Sequence, residues 1–174
     1  MSPEASKQLQ RPPVVHVVGK KKTGKTTIVV RLVELLAARG LRVGTIKHAA
    51  HEYPRDVAGT DSYRHRTAGA VLAGFQTPQG FALFGDAPDD EANFARLLGW
   101  MQGLDLVIVE GGKHLPGVKI EAFAAGEHDQ PLCQPGDNCL AIVTDRLTEH
   151  FAAIFSPTNL APLADLIQRE LLGK

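Results

Sequence analysis

Cysteine is scarce in this sequence of 174 residues. Its two cysteines, Cys133 and Cys139, do not form a C-x-x-C pair. This content makes neither a zinc-binding framework nor a secreted disulfide scaffold, and it points to a reducing cytoplasm. The two thiols are then either free or joined in a local disulfide.

Net charge and long apolar runs are also lacking. The 19 basic side chains are balanced by 19 acidic ones, so no global field would draw the protein to nucleic acid or to an anionic membrane. The longest apolar stretches have the length of a β-strand, well below the roughly 20 residues that a membrane-spanning helix requires. We therefore expect neither nucleic-acid nor membrane partners.

Length and composition are those of one globular domain. Hydrophobic residues make up 44% of the chain, and a chain of this size buries roughly two-thirds of its unfolded surface. Residues 1–13 are polar, contain Pro12-Pro13 and lack the apolar core of a signal peptide. We interpret residues 1–13 as a flexible tail and residues 14–174 as a single domain.

The most informative segment is Gly19–Thr27, whose sequence GKKKTGKTT fits the pattern G-x-x-x-x-G-K-[ST]. A β-branched run of strand length precedes it, and an apolar helix-like segment that ends at Gly40 follows it. In that setting the loop N–H groups and the helix N-terminus form an anion site. The pattern predicts that Lys25 reaches the β- and γ-phosphates of a nucleotide and that the Thr26 hydroxyl binds Mg²⁺.

The whole loop is a candidate for nucleotide contacts. The three consecutive lysines 20–22 add positive field there or are simply solvated. The candidate binding residues are Gly19, Lys22, Thr23, Gly24, Lys25, Thr26 and Thr27. Among them we assign a catalytic role to Lys25.

A second candidate region is the segment 104–112, in which the apolar run 106–109 ends in Glu110-Gly111-Gly112. A continuous apolar run of this length is typical of a central parallel strand that is buried on both faces. In P-loop NTPases the strand beside the loop carries a carboxylate that reaches Mg²⁺. Glu110 is therefore a candidate metal ligand and catalytic group, with Gly111 beside the nucleotide. The alternative is an ordinary polar strand end.

Four further residues could take part in binding. Asp56 lies in the long polar segment 47–62, and Mg²⁺ beside a triphosphate is commonly held by one or two carboxylates, so Asp56 is a second candidate for metal binding and catalysis. In the same segment His48 and His51 have the spacing of a metal pair, although loop histidines are more often plain surface residues. Asp145 ends a later apolar run and could accept the N1–H and N2–H₂ groups of guanine, but the full N-K-x-D signature is absent.

The alternation of apolar runs and helical patterns predicts an α/β fold. We expect a P-loop NTPase-like domain with a mostly parallel central β-sheet flanked by helices in three α/β/α layers. Parallel strands require helical crossovers, and ligands bind at the carboxyl ends of such strands. Residues 70–75 and 80–84 flank a short polar turn and predict a hairpin-like insertion.

Several motifs together resemble the MobB family of molybdopterin-guanine dinucleotide biosynthesis proteins. Besides the phosphate loop they are IKH-x-x-H at 46–51, D-x-x-G-x-DSY at 56–63, AGA at 68–70, DLVIVEG-x-KH at 105–114 and VTD at 143–145. The resemblance implies that Gly24–Thr27 match the phosphate loop of the family. It also implies that Glu110 matches the second nucleotide-binding motif of the family.

The resemblance implies a GTP-binding protein with weak Mg²⁺-dependent GTPase activity. It implies an accessory role beside the guanylyltransferase that joins GMP to molybdopterin, with molybdopterin itself a further candidate ligand. It also implies a cytoplasmic homodimer whose role is nucleotide delivery or resembles that of a metallochaperone. We expect slow hydrolysis, because no arginine finger or water-orienting glutamine is identifiable in the sequence.

Two other functions stay open. A small-molecule kinase would use the same loop to transfer the γ-phosphate to an acceptor held by Arg64, Arg66 or Lys113. A nucleotide-switched interaction module would use the nucleotide only to order residues 47–62.

Overall fold

The structure, a computed structural model, describes residues 11–49, 56–85, 89–124, 130–146 and 152–174. Most of the tail that the sequence predicts, and His51, lie outside the described residues. The chain divides into two compact units, one of residues 1–48 with 98–174 and the other of residues 49–97.

The elements alternate along the chain as the sequence predicts. In chain order they are β1 (Val14–Val18), α1 (Lys25–Ala38), β2 (Val43–Lys47), α2 (Asp61–Thr67), β3 (Leu72–Thr77), β4 (Gly80–Gly85), α3 (Asp90–Trp100), β5 (Leu106–Glu110), β6 (Val118–Ala122), β7 (Cys139–Val143), β8 (Ala153–Phe155) and α4 (Ala161–Leu172). None of the described helices is long and apolar enough to cross a membrane.

A six-stranded sheet forms the first unit, with the strand order β2-β5-β1-β6-β7-β8. Every neighbouring pair of strands in it is parallel. Strand β1 lies between β5 and β6, so α1 carries the chain past β5 before β2 begins. All six carboxyl ends therefore lie at one edge, where α/β sheets bind their ligands.

Helices α1 and α4 cover one face of this sheet. Alternate side chains of the central strands pack against the apolar side of both helices in a single core. Its members include Val15, Val17, Leu106, Ile108, Ile120 and Ala141 from the sheet, with Leu32, Leu36, Leu163 and Ile167 from the helices. The predicted α/β class, a mostly parallel sheet flanked by helices, is confirmed.

Helix α1 ends where the sequence places its C-terminal glycine. Gly40 has a φ of +80°, a left-handed conformation that glycine adopts at little cost. Its N–H donates to the carbonyl of Ala37 at 2.9 Å, and the N–H of Leu41 donates to the carbonyl of Leu36 at 3.2 Å. These two bonds form a Schellman motif, which satisfies carbonyls that the helix itself leaves unpaired.

Strand β6 corrects one expectation. Its alternating pattern predicts one solvated face, yet β6 pairs with β1 on one side and with β7 on the other, and Glu121 is only 1% exposed. The two carboxylate oxygens of Glu121 accept the N–H groups of Leu132 and Cys133, at 2.7 and 2.8 Å. A buried carboxylate is tolerated here because backbone donors replace the lost water. Neither Cys133 nor Cys139 is in a disulfide.

The second unit contains α2 and a hairpin. Thr60 precedes α2, and its hydroxyl accepts the N–H of Tyr63 at 3.4 Å, which makes it the N-cap. Strands β3 and β4 pair antiparallel around Pro78-Gln79 and form a two-stranded sheet of their own. The predicted hairpin-like insertion is therefore confirmed. Its aromatic side chains are largely exposed, with Phe81 at 79%.

Helix α3 spans the boundary between the two units along the chain. The sequence pattern predicts a core-facing stripe of Phe94, Leu97, Leu98 and Met101. Leu98 is buried, whereas the other three are partly exposed. Trp100, which the pattern also assigns to packing, is 52% exposed.

Candidate functional site

The predicted phosphate loop connects β1 to α1 at the carboxyl edge of the sheet. Gly19 and Gly24 have φ values of +148° and +82°, and Lys22 between them has a φ of +65°. A Cβ atom added to Gly19 would lie 2.5 Å from the carbonyl oxygen of Ala122. The loop therefore needs glycine at position 19 for space as well as for its backbone angles.

Two loop side chains fold back onto the loop. The Lys25 ammonium donates to the carbonyl of Lys20 at 2.5 Å, and the Thr23 hydroxyl donates to the same carbonyl at 3.0 Å. Partial burial lowers the pKa of Lys25 below its ordinary value; the carboxylate of Glu110 opposes this shift and the ammonium of Lys47 adds to it. Lys25 is a partly desolvated cation, which a phosphate oxygen would bind strongly.

Thr26 and Glu110 meet beside the loop. The Thr26 hydroxyl donates to both carboxylate oxygens of Glu110 at 3.0 Å. Their proximity follows from the sheet, because β1 and β5 are parallel neighbours with Val17 opposite Glu110. A hydroxyl and a carboxylate are oxygen ligands of the kind that Mg²⁺ prefers, so this pair fits the metal that the fold implies.

Lys47 is a site residue that sequence reasoning missed. It ends β2 and lies opposite Glu110 in the β2–β5 pairing. Its ammonium is 3.8 Å from a carboxylate oxygen of Glu110. The available signal was its place as the last residue of a strand, next to the edge that carries the loop.

The glycines after β5 allow a close approach of the next chain segment. The N–H of His48 donates to the carbonyl of Glu110 at 2.9 Å. Gly111 has a φ of +96°, and a Cβ atom there would lie 2.6 Å from the His48 carbonyl oxygen. Gly111 therefore contacts the segment after β2, and its predicted nucleotide contact stays a prediction.

The other predicted residues lie in different surroundings. Asp56 belongs to the second unit, where one of its carboxylate oxygens accepts the hydroxyls of Thr60 and Ser62 at 3.1 Å each. Thr27 is exposed at the start of α1, and Asp145 is exposed just beyond β7, at the same sheet edge as the loop. The structure thus brings Lys25, Thr26 and Glu110 together, with Lys47 beside them.

A glycine-bounded loop between a parallel strand and a helix, with a carboxylate at the end of the adjacent strand, defines the P-loop class. The family model described as molybdopterin guanine dinucleotide synthesis protein B matches residues 14–145. The chain belongs to this family, MobB.

Related proteins cover most of the chain. It is 35% identical over 149 residues to the molybdopterin-guanine dinucleotide biosynthesis adapter protein of Escherichia coli strain K12, spanning 83% of this chain and 85% of that protein. It is 30% identical over 165 residues to the adapter protein of the same description from Haemophilus influenzae, spanning 91% and 89%. The crystal structure of Bacillus subtilis MobB superimposes with a TM-score of 0.73 at 27% identity, covering 93% of this chain and 99% of that one.

Proposed function

We propose that this protein binds GTP with Mg²⁺ and serves as an accessory factor when GMP is attached to molybdopterin. The single observation that carries the nucleotide part is the Thr26–Glu110 hydrogen bond beside Lys25. Membership of a family described by molybdopterin guanine dinucleotide synthesis supports the pathway.

The triphosphate would occupy the loop between β1 and α1. Backbone N–H groups at the first turn of α1 have no partner within the helix, and the helix dipole adds partial positive charge there. Lys25 would exchange its bond to the Lys20 carbonyl for bonds to β- and γ-phosphate oxygens. Phosphate charge would also reverse the burial effect on Lys25 and raise its pKa.

Thr26 and Glu110 would hold the metal ion. A Mg²⁺ ion held there would offset the negative charge of the phosphates. The hydroxyl proton of Thr26 points to Glu110 in the structure, so both side chains must reorient before their oxygens face a cation. Lys47 would balance the charge of Glu110 until then. Asp56 stays a candidate for a further ligand.

We propose that Asp145 recognises the guanine base of the nucleotide. Its carboxylate lies at the sheet edge that also carries the loop, and a carboxylate accepts the paired N–H donors of guanine. Adenine lacks that donor pair, so Asp145 would favour GTP over ATP.

Turnover should be slow. The contacts described for Lys25, Thr26 and Glu110 involve lysine, threonine and glutamate side chains, together with a backbone carbonyl. Fast P-loop GTPases add a water-orienting glutamine or an arginine finger. Weak GTPase activity and an accessory role agree with this set of groups.

The partners that we propose are the molybdopterin guanylyltransferase, molybdopterin and a second copy of this chain. Exposed apolar side chains that share one face of the hairpin, Leu72, Leu83 and Phe81, support a homodimer, because an apolar patch marks a contact site. A cytoplasmic location agrees with two cysteines that are not joined in a disulfide.

Calorimetric titration with GTP and with ATP, with and without Mg²⁺, tests the nucleotide part. We expect Mg²⁺-dependent binding with GTP preferred, and the Asp145→Ala variant should lose the preference while it keeps triphosphate binding. Absence of binding to either nucleotide would refute the proposal.

The accessory role needs a second assay. Adding the protein to the guanylyltransferase should increase formation of molybdopterin guanine dinucleotide, and the Lys25→Ala variant should not. Rapid γ-phosphate transfer to a pterin without that enzyme would identify a kinase instead.

A further inference from the structure

Two histidines of the first unit contact each other at the carboxyl edge of the sheet. The rings of His48 and His114 have centroids 5.2 Å apart and planes inclined by 71°. A nitrogen atom of one ring lies within 4.8 Å of a nitrogen atom of the other. The sequence pairs His48 with His51, which lies outside the described residues, whereas the structure brings His48 to a histidine from the loop after β5.

The backbone of His48 is fixed by β5. Its N–H donates to the carbonyl of Glu110 at 2.9 Å, which extends the β2–β5 ladder by one residue. The carbonyl of His48 packs against Gly111, where a side chain would not fit. The imidazole of His48 therefore projects from a backbone position set by main-chain contacts.

The backbone of His114 is fixed by a turn. The N–H of Leu115 donates to the carbonyl of Gly112 at 2.9 Å and closes that turn. Leu115 is only 4% exposed, so its side chain anchors the turn, while His114 is exposed. An ion from solvent can therefore reach the His114 ring directly.

We propose that His48 and His114 form an open site for a divalent transition-metal ion such as Zn²⁺, with water in the remaining coordination positions. Imidazole nitrogen suits zinc, nickel and copper, whereas Mg²⁺ prefers the oxygen atoms of Thr26 and Glu110. Zn–N bonds of about 2.0–2.1 Å require the two nitrogens to be roughly 3.3 Å apart in a tetrahedral site. The ring nitrogens lie within 4.8 Å of each other, so the two side chains would have to rotate toward each other to bind the ion.

This site is distinct from the magnesium site but is joined to it. The carbonyl of Glu110 binds the His48 N–H, and the side chain of the same Glu110 binds Thr26. A metal ion held by the two histidines would tie the segments after β2 and β5 to each other. The proposal does not rest on GTP binding, since the ion can be titrated without nucleotide.

The test is a titration of the untagged, nucleotide-free protein with Zn²⁺ by calorimetry and with Co²⁺ by visible absorption. We expect the His48→Ala and His114→Ala variants each to bind about tenfold or more weakly than the wild type. His65→Ala, which changes an exposed histidine of α2, should bind as the wild type does. Far-ultraviolet circular dichroism would verify that every variant is folded.

Other outcomes would overturn the proposal. Unchanged zinc affinity in either the His48 or the His114 variant would do so. Equal weakening in His48→Ala and His51→Ala with no effect of His114→Ala would assign the ion to the pair that the sequence predicts. A thiolate-to-cobalt charge-transfer band would assign it to Cys133 or Cys139.

Discussion

The Thr26 hydroxyl donates to both carboxylate oxygens of Glu110, 84 positions further along the chain. The contact exists because β5 is inserted next to β1, which brings the end of one strand beside the loop that follows the other. The two candidate ligands of a magnesium ion are therefore positioned by the sheet, and this relationship leads to the first prediction.

Glu110→Gln should remove most of the Mg²⁺ dependence of GTP binding. The amide oxygen can still accept the Thr26 hydroxyl, so the local structure should persist while the charge that attracts the cation is lost. Calorimetric titration with and without Mg²⁺ measures the difference. Glu170→Gln, which changes an exposed residue of α4, is the control and should behave as the wild type. Full magnesium dependence in the Glu110 variant would contradict the assignment.

Lys25→Ala should weaken binding of a triphosphate by about 100-fold, because a partly buried cation that contacts phosphate is lost. The fold should persist, since the hydrogen bond described for Lys25 goes to a carbonyl of the same loop, that of Lys20. Lys21→Ala is a matched control from the exposed part of the same loop. Affinity is measured by calorimetry and folding by circular dichroism. Wild-type affinity in the Lys25 variant would refute the phosphate-loop assignment.

Binding of sodium triphosphate should take up protons at alkaline pH. Burial lowers the pKa of Lys25, so in the free protein its ammonium loses a proton at a lower pH than an exposed lysine does. Bound phosphate stabilises the ammonium and raises that pKa again, so protons are taken up between the two pKa values and affinity falls as pH rises.

Calorimetry in two buffers with different ionisation enthalpies measures this proton uptake. Triphosphate is the chosen ligand because, unlike GTP, it carries no guanine N1–H group that would titrate at alkaline pH. The Lys25→Arg variant keeps its charge, so its uptake should vanish. Equal uptake in both proteins would assign the proton to another group.

Gly19→Ala should destabilise the fold by roughly 1–3 kcal/mol more than Gly40→Ala does, because a steric clash adds to the cost of the positive φ, and it should impair triphosphate binding. The new methyl group would lie 2.5 Å from the Ala122 carbonyl oxygen and 2.7 Å from the Thr23 hydroxyl. Gly40→Ala is the control, because that glycine also has a positive φ but has free space around it and lies outside the site. It should cost only about 1–2 kcal/mol and leave binding intact. Urea denaturation compares the two, and equal losses of stability would exclude the steric effect.

The elements that the sequence predicts well are those with local signals. The glycine pattern around Lys25 and the C-terminal glycine of α1 both depend on backbone angles within a few residues. The hairpin β3–β4 has an apolar run on each side of a short polar turn. The burial of Glu121 could not be predicted from the sequence. A strand with polar side chains at alternate positions looks half-solvated until its place between β1 and β7 is known.

The sequence by itself determined that a strand, a glycine loop and a helix follow one another, because each of these depends on neighbours along the chain. It also identified Lys25, Thr26 and Glu110 as candidates. Only the tertiary structure decided that Thr26 and Lys47 contact Glu110, and that His48 contacts His114. Those contacts depend on which strands are neighbours in the sheet, and strand order is set by packing of the whole unit, for which no short segment carries a signal.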